Sequence, residues 1–376
     1  MNSVRVILLR VLTTRVAWPI LIAVGLLCAT SLVALDLASP ERVGRQETWL
    51  AVAAAVILLA LIPHFQILGR LSYALYGVTI ILLIAVFAGK PAHGTHRWFV
   101  MPGGTQLQPS ELAKISFVLM LAWHLRHRKN IRSLAGLVVP FILAILPFFL
   151  ILEEPDLGTA LLFPLVLYSM LLAAGARMRH LLTIGLVALL AMPGAYPFLR
   201  PYQQERLKSQ VRILAAGFFN RDDDAARTGS AYQQFQSMAA IGSGGASGEA
   251  GQGIQAIHQG LVPEAYTDFI FAVIGAKWGF LGCLAVLVLY LGFFAAAVEI
   301  AGSTRDLFGR LLVVGLASMI LFQALINMYM TVAIAPVVGI ALPFVSYGGS
   351  SLLASAIAAG LLLNVSVRRQ TRTRGS

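Results

Sequence analysis

Ten apolar runs, most of them close to 20 residues long, divide this chain of 376 residues. A helix rises about 1.5 Å per residue, so about 20 apolar residues cross a hydrocarbon core of about 30 Å. The runs fall at 17–35, 49–63, 71–88, 108–125, 134–152, 157–176, 181–199, 268–300, 307–335 and 346–367. Strict alternation over about ten residues, the mark of a membrane barrel, is missing. Only 12% of the residues are charged, about half the share found in soluble domains. The pattern predicts an all-α, polytopic membrane helix bundle of about ten transmembrane helices. It forms a single domain over 1–376, with one long extracytoplasmic loop over about 200–267.

The formal net charge of +12 invites a nucleic-acid reading, which its distribution excludes. The basic residues form short clusters between apolar runs and no basic face. Arg5, Arg10 and Arg15, then Arg126, Arg128, Lys129 and Arg132, then Arg177 and Arg179, and finally Arg368, Arg369, Arg372 and Arg374 occupy alternate connections. The other short connections hold only Arg42, Arg45, Lys90 and Arg97. Positive residues stay inside, so both termini are expected in the cytoplasm, with Arg97, Asp156 and Asp268 on the outer side. The first run is too long for a signal-peptide core and reads as an uncleaved span.

Metal and disulfide chemistry find little footing. Cys28 and Cys283 lie inside apolar runs and read as small apolar residues. The seven histidines are scattered, and His93 with His96 lacks a third ligand. No internal repeat is visible, which argues against an inverted-repeat transporter.

Polar features gather at the expected outer ends. Asp268 lies at the mouth of the eighth run, after Pro263, Glu264 and Thr267, which suit a helix start with Thr267 as N-cap. A carboxylate there is either a cap or a functional group. Arg97-Trp98 precedes Gln108-Pro109-Ser110-Glu111-Leu112-Ala113-Lys114, in which Glu111 and Lys114 share a helix face. That pair either neutralises itself or forms a charged wall beside Arg97 that binds an anionic head group. Glu153-Glu154-Pro155-Asp156 opens the sixth run, where acids suit the helix dipole. The glycines of 241–253 form an anion nest or a flexible loop. The stretch 343–351, with Ser346, Gly348, Gly349 and Ser350, reads as a broken helix start or a packing kink.

Taken together, R-W…Q-P-S-E-L-A-K at 97–114, P-D-L-G-T-A at 155–160, Y-Q-Q-F-Q-S-M-A-A-I-G-S-G-G at 232–245, P-E-A-Y-T-D-F-I-F-A-V-I-G at 263–275 and P-F-V-S-Y-G-G-S-S at 343–351 resemble the SEDS family of shape, elongation, division and sporulation proteins. The five motifs lie in the family order and cover nearly the whole chain. One departure stands out. Ala276 and Lys277 occupy positions where the family commonly has two glutamates, and Lys277 falls about 13 Å along the helix from Asp268.

The resemblance implies a peptidoglycan glycosyltransferase that polymerises lipid II at the outer face of the bacterial cytoplasmic membrane, with undecaprenyl diphosphate as leaving group. Asp268 carries over as the catalytic residue. Arg97, Trp98, Gln108, Glu111, Lys114, Asp156, Ser346, Gly348, Gly349 and Ser350 carry over as substrate-binding candidates. The partners it implies are lipid II, the nascent glycan strand, membrane lipids and a class B penicillin-binding protein that cross-links the product. No tightly bound cofactor is expected, and the sequence leaves any divalent cation open. The short tails lean towards the elongation branch (RodA-like) over the division branch (FtsW-like). A lipid II flippase or other transporter, or a catalytically impaired scaffold, would use the same features differently.

Overall fold

A backbone in hydrocarbon must satisfy its N–H and C=O groups within its own segment, and each apolar run accordingly folds as a helix. The computed structural model describes residues 11, 13–89, 97–100, 106–128, 130–216, 229–248 and 251–368. In chain order the helices are α1 (Ala17–Ala38), α2 (Val43–Ala60), α3 (Phe65–Ala85), α4 (Pro109–Arg126), α5 (Leu134–Glu153), α6 (Leu157–Ala173) and α7 (Met178–Ala195). They continue with α8 (Pro201–Ala216), α9 (Gly229–Ser243), α10 (Gly251–His258), α11 (Ile270–Ser303), α12 (Leu307–Thr331) and α13 (Gly349–Arg368). Between α3 and α4, β1 (Phe99–Val100) pairs antiparallel with β2 (Gln106–Leu107), Phe99 opposite Leu107. His93 and His96 lie outside the described residues.

Among the described residues, α1, α2, α3, α5, α11, α12 and α13 are long and apolar enough to cross a membrane, and α6 and α7 are shorter apolar helices. Helix α4 has 18 residues but carries Glu111, Lys114 and Arg126. These are the ten helices expected, with shifted ends. The second begins at Val43, the eighth at Ile270 and the last at Gly349. Side-chain caps fix several starts: Asp156 accepts from Thr159 N at 3.1 Å and Asp306 from Gly309 N at 3.0 Å, satisfying donors a helix cannot pair itself.

The apolar stretches of α12 and α13 are 72% and 78% buried, against 28% for α3 and α5. Helix α12 packs on α4, α6, α11 and α13, and α4 is buried along nearly all its length. These inner helices form the core that the others wrap. Leu182, Leu186, Val187 and Leu190 of α7 stay exposed, as lipid-facing side chains do without cost.

The segment expected to be a long loop is largely helical, as α8, α9 and α10. Helices α9 and α10 form a hairpin packed on α11. At that contact α11 is broken at Gly279 (φ 63°, ψ −157°). A break frees backbone donors, and the hairpin turn satisfies them. Phe280 N donates to Gly245 O at 2.9 Å and Leu281 N to Ala246 O at 3.1 Å. The approach is so close that a Cβ on Gly248 (φ 90°) would stand 2.1 Å from Lys277 O, and only glycine fits that geometry. Gly244 and Gly248 of the turn therefore serve close backbone packing. Lys277 sits at this junction, half-buried, and among the described residues its ammonium has no ion-pair partner.

Candidate active site

Four segments meet at one end of the bundle: the start of α4, the α5–α6 turn, the turns 263–269 before α11, and the irregular stretch 332–348 before α13. Polar side chains of the inner helices hold them together. On α12, Gln323 and Asn327 lie four residues apart and so share a face. Asn327 Nδ2 donates to Asp268 O at 2.8 Å and to Ile340 O at 2.7 Å, and Gln323 Nε2 donates to Ala341 O at 2.9 Å. Ser346 Oγ donates to Thr267 O at 2.6 Å while accepting from Leu342 N at 2.7 Å. Tyr347 N donates to Tyr266 O at 3.0 Å. The backbone of residues 266–268 is thus tied to the stretch before α13, directly or through Asn327.

Thr267 is not the N-cap of α11. Phe269 occupies that position without a side-chain bond, and Thr267 Oγ1 instead donates to Glu264 Oε2 at 2.9 Å. This leaves Asp268 in the turn, half-buried. Its Oδ2 lies beside Gly339, where a Cβ would stand 3.4 Å away. Among the described residues no hydrogen bond reaches its carboxylate. Burial first, then the negative charges of Glu264 and Asp156, push its pKa up to about 7. Arg206 and Arg97 pull the other way. At neutral pH such a carboxylate is poised to take or give a proton.

Arg97 is half-buried and gripped by the α5–α6 turn. Its Nε donates to Glu154 O at 2.6 Å and its Nη2 to Pro155 O. Asp156 accepts from Gln108 Nε2 at 2.8 Å as well as capping α6. Ser350 Oγ donates to Gln106 O at 2.9 Å and accepts from Gln108 N at 3.3 Å. Arg97, Gln108, Asp156, Ser346, Ser350 and Asp268 are therefore brought to one end of the fold. Trp98 follows Arg97, half-buried, and Gly348 and Gly349 lie at the entry to α13. Gly349 packs against the Trp49 ring, where a Cβ would stand 2.6 Å from it.

Glu111 and Lys114 follow the self-neutralising alternative. Lys114 Nζ lies 3.0 Å from both Glu111 carboxylate oxygens and 2.8 Å from Gln323 Oε1. The side chains are 7% and 2% exposed. The crevice beside Lys114, walled by Phe117, Leu162, Phe163 and Met319, holds no water-sized space. Lys114 thus braces α4 against α12.

Three groups at the site gain a part the sequence reading did not give them, Glu154 having been read only as an acid suited to the helix dipole. Glu154 is fully buried, with neither carboxyl oxygen hydrogen-bonded among the described residues. Burial and the nearby Asp156 charge raise its pKa to about 9, against the pull of Arg97. Arg206 of α8 acts electrostatically on both Asp268 and Asp156. The third is the Asn327–Gln323 pair. An amide pair spaced four apart in an apolar run was a visible signal for it.

A family model described as cell cycle protein, FTSW_RODA_SPOVE, matches residues 9–371. The chain is 37% identical over 328 residues to the probable peptidoglycan glycosyltransferase FtsW of Trichlorobacter lovleyi, covering 86% of this chain and 82% of that one. It is 34% identical over 330 residues to the peptidoglycan glycosyltransferase MrdB of Helicobacter pylori, covering 85% and 82%. A solved chain from a study described as "Structural coordination of polymerization and crosslinking by a peptidoglycan synthase complex" superposes with a TM-score of 0.80. Its identity is 30%, over 94% of this chain and 98% of that chain.

Proposed function

The chain belongs to the FtsW/RodA/SpoVE family of cell cycle proteins, and from that premise we propose that it is a peptidoglycan glycosyltransferase acting on lipid II, with Asp268 as its general base. The observation that carries the proposal is the Asp268 carboxylate: half-exposed, without a hydrogen-bond partner among the described residues, and held near pKa 7. The acceptor sugar hydroxyl gives its proton to Asp268 as its oxygen attacks the anomeric carbon of the donor. The bond from that carbon to the lipid diphosphate breaks in the same displacement, and the diphosphate leaves with the electron pair. One inverting displacement of this kind needs no second, nucleophilic carboxylate. Arg97, close enough to act on Asp268, stabilises the charge that develops on the leaving group.

The site end faces the outside of the cell in this proposal. Arg126, Arg177, Arg179, Arg305 and Arg368 lie at the helix ends and connections of the opposite end, which suits the cytoplasmic side. The partner is an enzyme that cross-links the product, as the complex named for the matched solved chain suggests. Relatives named FtsW and MrdB match at similar identity, so the proposal is confined to the reaction and leaves aside elongation against division. The test is polymer formation from purified lipid II by the full chain with its cross-linking partner. Native protein forms glycan strands and Asp268→Ala forms none. Polymer from the alanine variant would remove Asp268 from the reaction, and lipid movement without polymer would make the chain a transporter.

A further inference from the structure

Helix α8 turns a polar face inward. Gln203, Ser209, Gln210 and Ile213 are buried, whereas Leu207 and Val211 are exposed. With Arg206, the residues 203, 206, 210 and 213 follow helical spacing along one side. The helix is fixed near both ends. Arg200, just before it, pairs with Glu153 at the end of α5, and Gln210 Nε2 donates to Ala333 O at 2.8 Å. Arg206 lies between these anchors, on the side facing the site.

The Arg206 guanidinium is in an unfinished environment. Its Nη1 is buried and has no hydrogen-bond partner among the described residues. It acts electrostatically on Arg97, Asp156 and Asp268, yet forms no ion pair with either acid among the described residues. Among the described residues its ring contact is with Tyr202, 5.7 Å from the ring centre. A buried donor left unpaired is costly, and the like charges of Arg206 and Arg97 repel each other. An anion between them satisfies the free donor and removes the repulsion. Guanidinium forks match phosphate oxygens in pairs. The arrangement therefore fits a compact, multiply charged anion better than a sugar hydroxyl or a single carboxylate.

We propose that Arg206 is a binding residue for the diphosphate of the lipid-linked substrate, gripping it from α8 together with Arg97. This rests on the reading above that the substrate is a lipid-linked sugar diphosphate. It adds that the segment 201–216 is part of the binding site.

The test uses the full chain with its cross-linking partner in lipid nanodiscs and two readouts: binding of a polyprenyl diphosphate, and steady-state polymerisation of lipid II. Arg206→Ala is expected to weaken diphosphate binding tenfold or more and to raise KM by a similar factor, with a smaller change in kcat. Arg206→Lys, which keeps the charge and loses the fork, is expected to recover part of the binding. Arg206→Gln gives the same readouts should the alanine variant fail to fold. Native-like binding and KM in Arg206→Ala or Arg206→Gln, with native polymerisation intact, overturn the inference and leave the polymerase reading standing. Arg206-dependent binding by a native chain that makes no polymer upholds the inference and overturns the polymerase reading.

Discussion

The side-chain amide of Asn327 donates to the backbone carbonyl of Asp268 at 2.8 Å. A residue of the most enclosed part of the bundle thus holds the main chain of the proposed base, while the carboxylate itself stays free. The same amide donates to Ile340 O at 2.7 Å, so one side chain sets the spacing between the turn carrying Asp268 and the stretch that lies against it. Asn327→Leu leaves two carbonyls without this donor, at about 1–3 kcal/mol each. It is expected to lower kcat on the order of 100-fold through displacement of the base, with little change in KM. Steady-state polymerisation checks the split, and an equal loss in both parameters would contradict a positioning role.

A base must be ionised to accept a proton, and Asp268 ionises around pH 7. The rate of polymerisation is therefore expected to rise with pH through about 7 and level off above it. Glu264→Gln removes the stronger of the two negative charges that hold this pKa up, and should move the rising limb to lower pH. Asp268→Asn should lose a factor on the order of 100 to 10,000. A pH–rate profile of kcat/KM on the native protein and on the Glu264→Gln variant measures the limb and its shift, and an unmoved limb speaks against Asp268 as the titrating group.

Lys114 and Glu111 form a pair almost without exposure. Removing one partner leaves the other buried and uncompensated, at about 3–5 kcal/mol. Lys114→Met alone should sharply lower thermal stability in detergent, and adding Glu111→Leu should restore most of it. A double variant no more stable than the single one would assign Lys114 to something beyond this brace.

Glu154 gives stability a pH dependence with a definite sign. Its folded pKa of about 9 lies above its ordinary value of 4.5, so between these values the folded chain holds a proton that the unfolded chain has lost. Stability falls as pH rises across that window, and below it the group contributes nothing. Glu154→Gln removes the penalty, which near pH 7 is on the order of 3 kcal/mol as an upper bound. Melting curves at pH 5 and pH 8 should show the variant gaining on the native protein at the higher pH.

Gly248 meets Lys277 O too closely for any Cβ and has φ 90°. Gly248→Ala should cost about 3 kcal/mol through combined strain and overpacking. Thermal unfolding checks it, and an unchanged midpoint would mean that the turn can withdraw from α11 freely.

The bundle was legible because a membrane makes helix the only outlet for an isolated apolar run, so ten runs predicted ten helices. The gathering of Arg97, Gln108, Asp156, Ser346, Ser350 and Asp268 at one end followed from counting crossings. The stretch 200–267 was not legible as helices because its inward residues are polar. Gln203, Arg206 and Gln210 on α8, and Gln234 on α9, face protein rather than solvent. Gln234 Nε2 donates to Met330 O at 3.1 Å and Ala335 O at 2.7 Å, carbonyls at and just beyond the end of α12, about a hundred residues away. Nothing in the local pattern of α9 reports such a partner. The second partner of Lys114, Gln323, was hidden for a related reason: it lies on another helix.

The turn that seals the break in α11 also imposes an order on assembly. Helix α9 carries Gln233, Gln234 and Gln236 and is not among the apolar spans, so the membrane alone has little tendency to retain it. Its docking surface on α11 and α12, and the unpaired donors of Phe280 and Leu281, exist only after those later segments are synthesised and inserted. The hairpin can therefore dock only once those segments are in place. Until it does, the break in α11 leaves the backbone donors of Phe280 and Leu281 unpaired.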